Sequence, residues 1–136
     1  MLLSEDIQDN EQLYRAIKRS KPDWLDGKNI PTSAMFKDEN GVSVDRDGGR
    51  NEADVIDFMK NGKLFPRVKG IARISANNCF SCGADVKADP SKDNPYHANI
   101  FLDAEDIFRQ NLQALKLARA SRIVFFDDSK TWSAKI

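Results

Sequence analysis

Two hydrophobic periods in the second half of the chain limit the folds that it can adopt. At 67–76, Val68, Ala72 and Ile74 alternate with polar side chains, which is the pattern of a half-buried strand, although Ile71 breaks strict alternation. The same alternation recurs at 96–102. At 103–121 the period is helical, and the predicted core-facing stripe is Ile107, Phe108, Leu112, Leu115 and Ala118. Half-buried strands beside an amphipathic helix predict the α+β class.

The remaining elements give an approximate predicted order of α-β-α-β-β-α-β. A first helix is expected from Asn10 to Pro22, because Leu13, Tyr14 and Ile17 share one helical face. A short strand is expected at 42–44 between two glycine turns, and a second helix is expected from Asn51 to Gly62. Further strands are predicted at 84–88 and 122–126. The fold class is therefore α+β, with a small mixed or antiparallel sheet of about four to five strands packed by about three helices.

Length and composition favour one soluble domain. The 136 residues match the usual size of a single domain, so we expect one globular unit over 1–136, with 127–136 as a flexible tail. No apolar run approaches the roughly 20 residues that span a bilayer, and the N-terminus lacks the pattern of a signal peptide. We therefore expect no membrane partner and a cytoplasmic location.

Charge is balanced overall but uneven along the chain. The 21 basic and 21 acidic residues argue against a dedicated non-specific nucleic-acid binder. A basic run without acidic residues nevertheless follows the second predicted helix, and it contains Lys60, Lys63, Arg67, Lys69 and Arg73. The ordinary interpretation is a solvated face, and the alternative is a patch that contacts nucleic acid.

Cys79 and Cys82 form a lone C-x-x-C motif. Two thiolates at this spacing can chelate a metal or cycle as a disulfide. A structural zinc site needs four ligands, and His97 is the one further soft ligand in the chain. We therefore expect no cofactor and no metal, and a zinc site built on Cys79, Cys82 and His97 is the weaker alternative.

His97 is the single histidine in the chain and follows the Asp93-Asn94-Pro95 turn. An imidazole titrates near neutral pH, so His97 is a candidate general acid or base, with Asp93 or Asn94 to orient it. The ordinary alternative is a histidine that is hydrogen-bonded structurally at a turn.

The segment 43–50 is the densest polar cluster. Ser43 and Asp45 share one strand face and are candidate catalytic residues beside His97. Arg46 and Arg50 flank two glycines and can bind phosphate or carboxylate, and Arg15 is a further candidate for binding the anion. The Walker and EF-hand patterns are both missing, so a charged hairpin turn is the ordinary interpretation.

These observations favour a small accessory or regulatory protein that binds a protein partner or forms a homo-oligomer, because no complete catalytic motif is present. Trp132 and the Phe125-Phe126 pair are candidate anchors for that partner. The alternative is an enzyme for a phosphate-containing or nucleotide-like substrate, with His97 as general acid or base. The weaker alternative is nucleic-acid contact through the basic run.

Overall fold

The computed structural model describes residues 3–17, 31–38, 40–61 and 68–126. Within these ranges, six strands form one antiparallel sheet in the order β4-β5-β2-β1-β3-β6. The strands are β1 Gln12–Ile17, β2 Val42–Arg46, β3 Gly70–Ser75, β4 Asp85–Ala88, β5 His97–Phe101 and β6 Arg122–Phe126. The helices are α1 Glu52–Asn61, α2 Ala76–Ser81 and α3 Ile107–Ala120, with a short 3-10 helix at Ser33–Phe36. The predicted α+β class is confirmed, and the sheet has more strands than predicted.

The predicted first helix is wrong, because Gln12–Ile17 is the strand β1. This strand pairs with β2 on one side and with β3 on the other. Leu13 and Ile17 are buried on one face of the sheet, and Tyr14 is buried on the other. Because the strand is buried on both faces, its apolar residues do not alternate, and the spacing of Leu13, Tyr14 and Ile17 also fits one face of a helix. The rest of that predicted helix, at 18–22, lies outside the described residues.

The predicted alternation holds for Ala72 and Ile74 of β3, but it is wrong for Val68, which precedes the strand and packs with the cluster of Ile71 on the opposite face. Ala72 and Ile74 lie in the larger core cluster together with Leu13, on the face that α2 and α3 cover. Ile71 lies on the opposite face and packs with Val55 and Met59 of α1. The centre of the sheet is therefore buried on both sides.

The second predicted helix is α1. The side-chain oxygen of Asn51 accepts a hydrogen bond from the backbone amide of Asp54 at 2.9 Å, which is the expected cap. The turn before it contains Gly48 and Gly49 at φ values of 61° and 79°, a region that favours glycine.

The inward face of α3 differs from the predicted stripe. Its buried residues are Gln113, Ala114, Leu117 and Ala118, so Ala118 alone of the predicted stripe is buried. Four predicted core residues lie at the surface, with exposed fractions of 58% for Ile107, 84% for Phe108, 52% for Leu112 and 37% for Leu115.

Side-chain size and charge account for this orientation. Ala114 and Ala118 are small, so α3 can approach Met35 and Phe36 of the 3-10 helix closely. The opposite stripe continues from Leu115 into Arg119, whose charge would be costly to bury without a partner. The helix begins at Ile107, four residues after the start of the predicted helical segment 103–121, because the side chain of Asp106 caps it.

No helix in the described ranges is both long enough and apolar enough to cross a membrane.

Candidate functional site

A cleft lies over the face of the sheet opposite the larger core cluster. In the strand register, Asp45 of β2 is directly opposite Tyr14 of β1 on one side and His97 of β5 on the other. Directly paired residues of antiparallel strands point to the same face, so these three side chains form one row. The cleft has a volume of about 540 Å³, and Asp89, Pro90, Ser91 and Asn94 form part of its lining. Two of the sequence-predicted catalytic residues, Asp45 and His97, are therefore neighbours.

Asp45 is buried at the base of this cleft. Its Oδ1 accepts a hydrogen bond from Nδ2 of Asn94 at 2.8 Å. Its Oδ2 makes no hydrogen bond within the described part of the chain, and Nη2 of Arg50 is 3.8 Å away, too far for one. Burial raises the pKa of the Asp45 carboxyl above its ordinary value, and this effect exceeds the lowering by Asn94, Arg50 and His97.

His97 is oriented by Asp89 rather than by Asp93 or Asn94. Its Nδ1 lies 3.0 Å from the backbone oxygen of Asp89 and 3.2 Å from the Asp89 carboxylate. These two contacts at one ring nitrogen fix the orientation of the imidazole. Ser43 also lines the cleft, one position further along the same face of β2, and its side chain is exposed.

Arg46 points away from this cleft. Its guanidinium donates to both carboxylate oxygens of Glu11, at 2.7 and 3.0 Å, and to the carbonyl of Ser4 at 2.7 Å. The pair is nearly buried, so its geometry serves to fasten the N-terminal segment to β2.

Arg50 and Arg15 are also engaged with the chain itself. Arg50 donates to the carbonyls of Asp47 and Arg46, and its guanidinium lies 3.4 Å from the ring centre of Tyr96.

Arg15 lines the cleft where β1 and β2 separate. It donates to the carbonyls of Ser43 and Met35, at 3.0 and 3.1 Å. The candidate anion-binding residues Arg15, Arg46 and Arg50 thus contact backbone carbonyls, aromatic rings and carboxylates of this chain. The acidic groups that line the cleft are Asp45 and Asp89.

The two cysteines lie apart from His97. Cys79 is fully buried in the larger core cluster, on the sheet face opposite His97, and burial raises the pKa of its thiol to about 12. The Cys82 thiol lies 3.3 Å from the carbonyl of Cys79, and both thiols are free. Among the described residues, no group of three or more histidine, cysteine or acidic side chains could hold a metal. The structure therefore does not bring together the ligands of the alternative zinc site.

The basic run is partly neutralised where the structure describes it. Arg73 pairs with Glu52 at 2.6 Å, and the Lys60 ammonium lies 4.7 Å from the ring centre of Phe125. Glu52 also accepts from the hydroxyl of Tyr14 at 3.1 Å, and burial with this carboxylate raises the pKa of Tyr14 to about 12. Lys63, Arg67 and the predicted anchor Trp132 lie outside the described residues.

The second candidate site is the outer face of α3, which we define as Ile107, Phe108, Leu112 and Leu115. These side chains form an apolar surface along one side of the helix, opposite its buried side. Sequence reasoning identified these residues but assigned them to the core. The signal that distinguishes the two faces is the position of the charges, since Arg119 and Lys116 belong to the outer side.

Comparisons of the chain with protein-family models, with curated proteins and with solved structures gave no match.

Proposed function

We propose that this chain is an accessory or regulatory protein of the cytoplasm that acts by binding a partner protein, and that the outer face of α3 is its docking surface. The observation that supports this is the exposure of Phe108, Leu112 and Leu115 on one side of a helix. Contiguous apolar patches of this kind are uncommon on proteins that work alone and mark interaction sites. An exposed phenylalanine is also a typical interface anchor.

The spacing of the side chains favours a helix as the partner's contacting element. Phe108, Leu112 and Leu115 are separated by four and then three residues, the pattern with which one helix packs along another. The expected partner surface is therefore an apolar helical stripe.

Leu112→Asp tests this function, with Ala53→Asp as its control. Both substitutions place the same charge on an exposed helical position, but Ala53 lies in α1, on the other side of the sheet from α3. We expect tagged wild-type protein and Ala53→Asp to retain the same protein from the native cell, and Leu112→Asp to lose it. If the wild type and both variants retain the same proteins and have the same circular dichroism, the proposal is contradicted.

A second candidate function rests on the cross-strand pairing of Asp45 with His97. A histidine held by Asp89 beside a buried carboxylate has the parts of an acid-base site. The structure gives less support to a phosphate-containing substrate than to acid-base chemistry in general. Arg46 and Arg50 make contacts within the chain, and Asp45 and Asp89 in the cleft would repel an anion.

The lone histidine makes this second function easy to test. One imidazole gives one C2-proton NMR signal, whose shift reports ligands in the cleft. An acid-base site for phosphate compounds predicts that a nucleoside monophosphate at millimolar concentration shifts this signal in the wild type and not in Asp45→Asn. An unmoved signal in both proteins would exclude that substrate class.

A further inference from the structure

The outer face of α3 has one more property, which concerns the identity of the partner. The two ends of the helix carry opposite charge. Acidic side chains lie at or before its N-terminus, namely Asp103, Glu105 and Asp106. Basic side chains lie toward or just beyond its C-terminus, namely Lys116, Arg119 and Arg122. Arg109 is the exception near the acidic end, and it lies 3.5 Å from Asp103, which offsets its charge.

This arrangement is complementary to itself when the direction of the helix is reversed. A second α3 laid antiparallel on the first places the acidic end of each helix beside the basic end of the other. A parallel pair would instead bring like charges together at both ends. The macrodipoles of the two helices also favour the antiparallel direction.

The apolar residues fit the same symmetry. Phe108 and Leu115 lie at equal distances on either side of the Asn111-Leu112 pair. A two-fold axis at this pair therefore sets Phe108 of each copy against Leu115 of the other and brings the two copies of Leu112 close together. It also brings the acidic segment before each helix toward Arg119 of the other copy. In such an isologous contact, every favourable pair occurs twice.

We infer that a second copy of this chain binds the outer face of α3, with the two helices antiparallel about a two-fold axis between Asn111 and Leu112. This inference rests on the proposed docking surface and specifies its occupant. The mechanism is apolar burial along Phe108, Leu112 and Leu115, with charge at the ends selecting the direction.

Sedimentation equilibrium of the full chain measures the pairing. We expect the wild type to reach twice the monomer mass of 15.3 kDa at micromolar concentration. Leu112→Asp should weaken association at least about 30-fold, because each dimer loses two leucines and gains two facing carboxylates. Ala53→Asp, on α1, should associate like the wild type.

Charge reversal then tests the direction. Glu105→Lys and Arg119→Glu should each weaken association about three- to tenfold, since exposed pairs contribute modestly and each occurs twice. The double variant exchanges the two charges and should recover the wild-type affinity, whereas independent sites would give additive losses.

Three results would overturn the inference. They are a wild type that remains at 15.3 kDa up to millimolar concentration, equal association of Leu112→Asp and Ala53→Asp, and a double charge reversal that associates more weakly than either single reversal. If the wild type is monomeric but its pull-down still retains a protein that Leu112→Asp loses, only the second copy as the occupant is overturned. Retention unchanged by Leu112→Asp would overturn the docking surface itself.

Discussion

Gln113 holds the inner side of α3 against the rest of the molecule. It is 2% exposed, and it is the single buried polar residue of that helix. Its Oε1 accepts from the backbone amide of Asp103 at 2.8 Å, and its Nε2 donates to the carbonyl of Cys82 at 3.1 Å. The side chain thus links α3 to the segment before it and to the end of α2.

Gln113→Ala should therefore destabilise the fold. The substitution leaves the Asp103 amide and the Cys82 carbonyl without this partner, and each partly buried unpaired group costs about 1–2 kcal/mol. We expect a total loss of about 2–4 kcal/mol in the free energy of unfolding. Gln110→Ala is the matched control, because the Gln110 Nε2 donates to the carbonyl of Asp103 from a half-exposed position. Its loss should be about 0.5–1 kcal/mol.

Urea unfolding followed by circular dichroism measures both variants. A fall in midpoint at constant slope gives the loss in stability directly. If Gln113→Ala loses less than about 1 kcal/mol, or no more than Gln110→Ala, then these hydrogen bonds do not hold α3 in its orientation.

Three further outcomes are expected. Gly48→Ala should lower the free energy of unfolding by about 2–4 kcal/mol, because φ is +61° and a Cβ would lie 2.6 Å from the Tyr96 ring. Gly49→Ala, at a φ of +79° but with open space around the Cβ, should lower it by about 1 kcal/mol, and equal losses in thermal unfolding would contradict this. Because burial raises the pKa of Asp45, its carboxyl favours the folded state most when it is protonated. The free energy of unfolding of the wild type, relative to that of Asp45→Asn, should therefore fall as pH rises through the folded-state pKa, and parallel pH profiles of the two proteins would refute this prediction. Cys79, whose pKa burial raises to about 12, should resist iodoacetamide at pH 8 in folded protein and react in urea, as followed by mass spectrometry.

The elements that could be predicted from sequence are those with one buried face. The strand β5 buries Ala98 and Ile100 and places His97 on the other face, so the alternation in the sequence was enough to predict it. The helix α1 carries its own cap at Asn51. The strand β1 was not predictable in this way, because its two buried faces are visible only once β2 and β3 flank it.

The sites depend on information that is not local. The contact between Asp45 and His97 follows from the register of β2 against β5, which joins segments far apart in the chain. The orientation of α3 is set by what packs beneath it, since both of its sides carry apolar residues. A hydrophobic stripe predicts a helix, but it does not say whether the stripe faces the core or a partner.

Site-specific photo-crosslinking in the native cell tests the docking surface most directly. A photoreactive phenylalanine analogue at position 108 replaces the most exposed apolar side chain of α3. The same analogue at Lys92, an exposed residue between β4 and β5, is the control. We predict a covalent adduct to another protein chain from position 108 and not from position 92. An adduct of twice 15.3 kDa would identify the second copy. No adduct from position 108, or equal adducts from both positions, would contradict a docking surface on the outer face of α3.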